Sequence, residues 1–334
     1  MAKLVGVFNT AHSPFCYMAP ERWNEVRAGR SLRADVPMDD VETNKEKAAR
    51  IQASFATLRQ KLREAAPDVL VIFGDDQNEC FDFNNFPAFA VYVGEEFEGA
   101  LSARDATFGR PAAPGEERPP VAKARLTGHP QLGVSLLTGL MQHGFDPAFC
   151  MDMPKPEHGI GHAFLRPAES LTDLQTPVLP VLLNCYYAPQ PTAMRCYQLG
   201  KAVRAIVEQY PGDRRVAVLG SGGLWHTPGA KDAYLDEEFD RAMLRFMEAG
   251  DACGMAEYFD NYRIPEGDAS QFVRERGRNS TGMPGFGGPQ GGTREICNWI
   301  AAAAVADGAP ATVVDYVPVY ASPIGAGFAY WPEV

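Results

Sequence analysis

The chain has 334 residues, 46% of them hydrophobic, and a formal net charge of −11. That is enough apolar content for a substantial core. The acidic balance argues against nucleic acid or an anionic membrane as the main partner, though a small pocket can still carry its own field for an anionic substrate. The seven cysteines are scattered and include no CxxC pair, which fits reduced cytoplasmic thiols better than a disulfide frame or a zinc site. The first residues, MAKLVGVFNTAHSPF, hold too short an apolar run for a signal peptide, and no apolar stretch of about 18 residues marks a membrane span.

Lys3–Asn9 is apolar and β-branched, a buried first strand, and Pro14 places His12 at its end or on the loop beyond. Asp40–Ala65 is helical: Ala48, Ile51, Phe55 and Leu58 recur at three- and four-residue steps. The run Pro67–Phe73 predicts a strand covered on both faces, ending in Gly74-Asp75-Asp76-Gln77. Ala88–Val93 is a further strand, and Ala100–Ala124, rich in Pro, Arg, Gly and Glu, reads as a surface insertion. His129–His143 is a helix, Phe149–Met151 a short strand, Val178–Leu183 a strand and Pro191–Tyr210 a helix. Arg215–Leu219 is a strand that runs into Gly220-Ser221-Gly222-Gly223. Glu237–Met247 and Ala252–Tyr262 are helices, Arg276–Gly292 is a Gly/Pro-dense loop, Thr293–Ala306 is a helix, and Thr312–Tyr320 is the last strand. Strands alternating with helices predict an α/β fold, a central twisted sheet flanked by helices. With no repeat and no linker, residues 1–334 read as one domain.

The polar residues collect where buried strands end: His12, Asp75-Asp76-Gln77, and Trp225-His226 after the glycine cluster. In α/β sheets ligands sit at such ends, on loops carried by a rigid scaffold. Each residue also has an ordinary explanation. A lone histidine is usually a satisfied or solvent-facing one. Asp75-Asp76 can cap the segment that follows. His158 and His162 are spaced like a chelating pair, but Gly159 and Gly161 make a shared helix improbable, which leaves a turn with incidental histidines. The GSGG turn lacks a phosphate-loop lysine and a GxSxG nucleophile. His129 suits a helix N-cap, and His143 suits a helix C-terminus. Glu295 opens an apolar helix, where a carboxylate is stabilised by the helix N-terminus or delivered to a pocket edge.

In order along the chain, Asn9–Pro14, Gly74–Gln77 with Phe81-Asp82-Phe83-Asn84 and Phe86–Ala90, Gly128-His129-Pro130, Met151-Asp152 with Glu157-His158-Gly159, Gly220–His226, Glu295 with Trp299, and Tyr320-Ala321-Ser322 resemble the class III extradiol dioxygenases, the family of the protocatechuate 4,5-dioxygenase catalytic subunit. The GDDQ variant is similar to the branch containing 3-O-methylgallate dioxygenases. The resemblance implies cleavage of a catechol- or gallate-type ring with O₂ and Fe(II), as in the catabolism of lignin-derived aromatics. It makes His12 and Glu295 iron ligands, His226 the acid/base, His158 a second active-site histidine, and Ser322 a contact for the substrate carboxylate. Ser13 beside His12 and Trp225 as an apolar wall beside His226 complete the expected substrate-facing set. The family's third ligand is a histidine at the place of Gln77, so a Gln77 amide oxygen or the Asp76 carboxylate is expected there. The implied partners are a small aromatic diol and O₂, a second copy of the chain, and a lid subunit, or in its place the two insertions. The altered ligand leaves two other readings: a metal-dependent hydrolase, and a metal-free binding protein.

Overall fold

The computed structural model describes the chain except residues 78, 83–84, 102–112, 119, 188, 228–231, 263–290 and 333, and the side chain of residue 291. Its centre is an eight-stranded sheet. The strands are β1 (Lys3–Thr10), β2 (Val69–Gly74), β3 (Phe89–Tyr92), β6 (Ala148–Cys150), β7 (Val178–Leu183), β8 (Arg215–Ser221), β9 (Thr312–Val319) and β10 (Ile324–Trp331). They lie side by side in the order β6-β3-β7-β2-β8-β1-β10-β9. The four central strands β7, β2, β8 and β1 are parallel to one another, with Phe73 facing Gly220 and Thr10 facing Ser221. β10 closes antiparallel on β1, and β3 antiparallel on β7. A separate antiparallel pair, β4 (Glu96–Ala100) and β5 (Lys123–Thr127), stands beside the sheet.

The strand sequences explain why the sheet is covered on both faces. Successive side chains of a strand point to opposite faces. Val69, Val71 and Phe73 enter one core with Leu179, Val181, Val216 and Val218. Leu70 and Ile72 enter the other with Val178, Leu182, Ala217 and Leu219. The first core is roofed by α3 (Pro130–Gln142), α5 (Ala193–Gln209), α6 (Glu237–Glu248), α7 (Ala252–Asn261) and α8 (Ile296–Val305). The second is roofed by α2 (Val41–Ala65) and α4 (His162–Thr172), while the short α1 (Trp23–Ala28) adds the buried Trp23. On α2 the buried residues Ile51, Phe55, Leu58 and Leu62 form one stripe, each worth about 1.5–3 kcal/mol of apolar burial. Asp40 caps that helix by accepting from Thr43 N at 2.8 Å.

The α/β expectation holds, and most elements lie within a residue or two of their expected bounds. The His129 cap is present, accepting from Leu132 N at 3.2 Å. Four of the elements that go beyond the sequence reading bear on its calls. Thr312–Val319 is not the last strand, because Ile324–Trp331 follows it; Gly325 and Gly327 weaken its strand signal, yet it is held between two neighbours. Helix α4 starts at His162 directly after the expected turn, and β4 and β5 flank the expected insertion. The interior of that insertion, nearly all of the Arg276–Gly292 loop, and Phe83 and Asn84 fall outside the described residues. All seven cysteines are free. Among the described residues no helix is long and apolar enough to cross a membrane.

Candidate metal centre

All four central parallel strands send a side chain into one buried cluster from their carboxyl ends. His12 follows β1, Asp75 and Gln77 follow β2, Tyr186 follows β7, and Ser221 ends β8 with His226 just beyond. Glu295 arrives from across the sequence, in the 3₁₀ turn that leads into α8. His12, Asp75 and Glu295 are buried, and one ligand atom from each lies within 4.8 Å of the others.

The geometry settles the tautomer of His12. The Ser221 hydroxyl donates its one proton to the Ala163 carbonyl, so it accepts from His12 Nδ1, 2.9 Å away. Nε2 then presents a lone pair, and it faces Glu295 Oε2 at 3.2 Å and Asp75 Oδ1 at 3.9 Å. Among the described residues, Asp75 Oδ1 receives only a long 3.4 Å contact from Asn298 Nδ2, and Asp75 Oδ2 has no hydrogen-bond partner. Three acceptors therefore converge with no donor between them. Burial, then the charges of Glu295, Glu79 and Asp76, push the Asp75 carboxyl well above its usual range. Burial also lowers the His12 imidazole, against the pull of Glu295. For Glu295 burial acts upward, but His226 and His12 outweigh it and hold the acid well below its usual range. A cation among these groups would relieve the repulsion, and one nitrogen with two carboxylate oxygens suits a divalent transition metal.

His226 occupies the other side of Glu295, its Nε2 3.0 Å from Oε1. Thr293 fastens the His226 backbone in both directions, and His226 bridges Ile324 of β10. The glycines of the two flanking loops make this placement possible. A Cβ on Gly292 would lie 2.4 Å from His226 Nε2, and one on Gly222, where φ is +155°, would lie 2.9 Å from Glu295 Cβ.

Other expected residues are placed differently. Asp76 is corrected: its Oδ1 accepts from Glu79 N and Phe81 N and its Oδ2 from Cys80 N, so it caps its own turn, and Asp75 faces the cluster instead. Gln77 does approach Glu295, but with its amide nitrogen, 3.3 Å from Oε1. His158 is corrected too: its side chain is 61% exposed beside Glu157. His162 takes the inner place, its ring edge-on to His12 with centroids 4.7 Å apart. Glu79 holds His162 Nδ1 at 2.8 Å; although burial acts upward, this histidine brings the Glu79 carboxyl down to about 2. Trp225 is corrected as a wall, because its indole donates to Tyr234 O and its ring packs on Tyr234, Phe239 and Tyr262 in the core. Ser13 caps a 3₁₀ turn through Phe15 N. Ser322 is buried, and among the described residues its hydroxyl has no hydrogen-bond partner. Sequence reasoning missed Asp75 as a cluster member, and also His162 and Tyr186. The one available signal was that each stands just beyond a buried strand or at the first position of a helix.

Such a molecule is an α/β protein with a cation-ready cluster at the carboxyl ends of its parallel strands. The family described as the catalytic LigB subunit of aromatic ring-opening dioxygenase matches residues 8–272, and the chain belongs to that family. Glu295 and Ser322 lie beyond the matched span. A 2,3-dihydroxyphenylpropionate/2,3-dihydroxicinnamic acid 1,2-dioxygenase of Photorhabdus laumondii is 28% identical over 180 residues, 53% of this chain and 49% of that protein. A gallate dioxygenase of Pseudomonas putida is 34% identical over 122 residues, 35% of this chain and 34% of that protein. The chain thus spans about half the length, or less, of these curated relatives. The crystal structure of an uncharacterized Escherichia coli protein aligns with a TM-score of 0.44 and 12% identity, covering 84% of this chain and 91% of that one.

Proposed function

We propose that this chain cleaves a catechol- or gallate-type aromatic acid with O₂ in extradiol fashion, using Fe(II). The carbon–carbon bond beside the diol breaks and both oxygen atoms enter the product. The observation that carries this reading is the convergence of His12 Nε2, Asp75 Oδ1 and Glu295 Oε2 with no donor among them, in a chain of the ring-opening family. Those three residues would hold the iron. When bound, the metal acidifies the diol hydroxyl and passes electron density from the ring to O₂.

The remaining roles belong to the chain's own groups. His226, beside Glu295 but on its far oxygen, is assigned proton transfer to and from the diol. The second active-site histidine, expected at His158, is assigned in this reading to His162, whose ring lies edge-on to His12. The unpartnered Ser322 hydroxyl is available to the substrate's carboxylate. In this reading the chain works in the cytoplasm as one catalytic unit and pairs with a second copy, with a lid subunit as a further partner.

The test is oxygen uptake by Fe(II)-loaded protein against protocatechuate, 2,3-dihydroxyphenylpropionate, gallate and 3-O-methylgallate. Stoichiometric O₂ consumption with one of them supports the reading. Substrate turnover under strict anaerobiosis would replace it with hydrolysis.

A further inference from the structure

Tyr186 has no role in the reading so far, yet it touches every part of the outer edge of the cluster. It follows β7 and is buried. Its hydroxyl donates to Glu295 Oε1, stands 3.3 Å from His226 Nε2, and accepts from Gln77 Nε2 at 2.9 Å. Glu295 Oε2 points the other way, toward His12 at 3.2 Å and the Gly223 amide at 3.1 Å. The two oxygens of one carboxylate are thereby divided, one for the cation side and one for the hydrogen-bonded side.

The neighbours of Gln77 fix what it does. A carboxylate oxygen only accepts, so the amide group turned toward Glu295 has to be the NH₂. Gln77 is then a donor to Tyr186 and Glu295, which uses up the position where a ligand was expected.

We propose that Tyr186, supported by Gln77, is a positioning residue: it clamps Glu295 Oε1 so that only Oε2 faces the cation, and it fixes His226 Nε2 at the same edge. The proposal rests on the ring-opening reading for its kinetic consequence but not for its metal consequence. A residue that orients a ligand typically changes metal affinity or activity by about 10–100-fold when removed.

The experiment uses Co(II) as a visible probe, titrated into the unaltered protein, Tyr186→Phe, Gln77→Ala and the double variant. Tyr186→Phe should bind Co(II) about 10–100-fold more weakly, with altered visible bands and an unchanged melting temperature. Its kcat for oxygen uptake should fall by a similar factor with KM within about twofold, the pattern of a lost transition-state contact. Gln77→Ala should shift the bands in the same direction by less, and adding it to Tyr186→Phe should do less than it does alone, because Gln77 acts chiefly through that hydroxyl at 2.9 Å and only through a longer 3.3 Å contact on Glu295 itself. Unchanged bands and affinity in Tyr186→Phe, or additive effects in the double variant, would overturn the clamp. Should Tyr186→Phe fail to fold, Gln77→Ala alone decides: unaltered bands refute the proposal. Co(II) binding by the unaltered protein without oxygen uptake on any catechol would remove the ring-opening reading and leave the clamp to be judged by the spectra. No Co(II) binding by the unaltered protein would refute both.

Discussion

Two buried aspartates, Asp240 and Asp75, are satisfied very differently. Asp240, on α6, is fully buried; its Oδ1 accepts from Trp225 N at 2.6 Å and its Oδ2 from Tyr316 OH at 2.7 Å. Asp75, beyond β2, is just as buried, but it has one long contact and one oxygen with no partner, and it faces a second carboxylate. Burial raises both acids; at Asp75 the charge of Glu295 comes next, whereas at Asp240 the Trp225 amide and the Tyr316 hydroxyl pull back ahead of the upward push of Asp236 and Glu237. Burial of a charge alone is therefore a poor marker of function. An acid that two donors satisfy fastens a loop, whereas Asp75, short of donors among the described residues and facing Glu295, is left for a cation.

The largest effect expected from this contrast is on iron retention. His12→Ala and Glu295→Gln should each purify with almost no iron while keeping a cooperative melt. Stoichiometric iron in both, by elemental analysis, would break the comparison at its base.

Next in size is His226→Phe. It should retain iron and lose turnover by about two to four orders of magnitude, the span of a positioned acid/base. Oxygen uptake and iron content measured on one preparation check this; loss of iron would make His226 a ligand instead.

The paired variants Asp75→Asn and Asp240→Asn sharpen the contrast directly. Asp75→Asn should weaken Fe(II) binding by about 10–100-fold. It should also raise the melting temperature of metal-free protein by about 2 °C, since a buried acid facing Glu295 is replaced by an amide that never ionises. Asp240→Asn should leave Fe(II) affinity unchanged. Equal metal affinities for the two variants would erase the distinction.

The smallest effect concerns pH. The folded-state pKa of Asp240 is raised, by burial first. Its contribution to stability is complete below the unfolded aspartate pKa of about 3.9 and is lost as pH rises through the folded value. Asp240→Asn removes that loss, so its melting temperature should hold up better than that of the unaltered protein as pH is raised from about 4 to about 8. Parallel curves would show that Asp240 does not titrate differently in the folded chain.

Much of this was legible in the residues. Val69–Phe73 and Val178–Leu183 announce doubly covered strands because no polar residue interrupts them, and the structure buries each on both faces. His12, Glu295 and His226 stand at element ends in the sequence, and the structure gathers them. The adjacent acids were not separable in that way. Asp75 and Asp76 are chemically identical, and the turn backbone decides that one meets His12 while the other meets three amides. His158 and His162 are likewise the same residue type four positions apart, and the start of α4 decides which one is inside.

The sequence by itself determined the covered parallel sheet, because apolar runs of strand length have nowhere to go but between two helical layers. It also determined that the polar groups would lie at strand ends, where the apolar pattern stops. Only the tertiary structure decided which of them face one another. His12 and Glu295 meet through the alignment of β1 and β8 with the turn before α8. Tyr186 joins them because β7 runs parallel to β2 and so releases it at the same edge of the sheet. Hydropathy along a chain records burial, but the direction of a side chain in a turn depends on backbone angles and on partners distant in sequence, and those exist only once the strands have aligned.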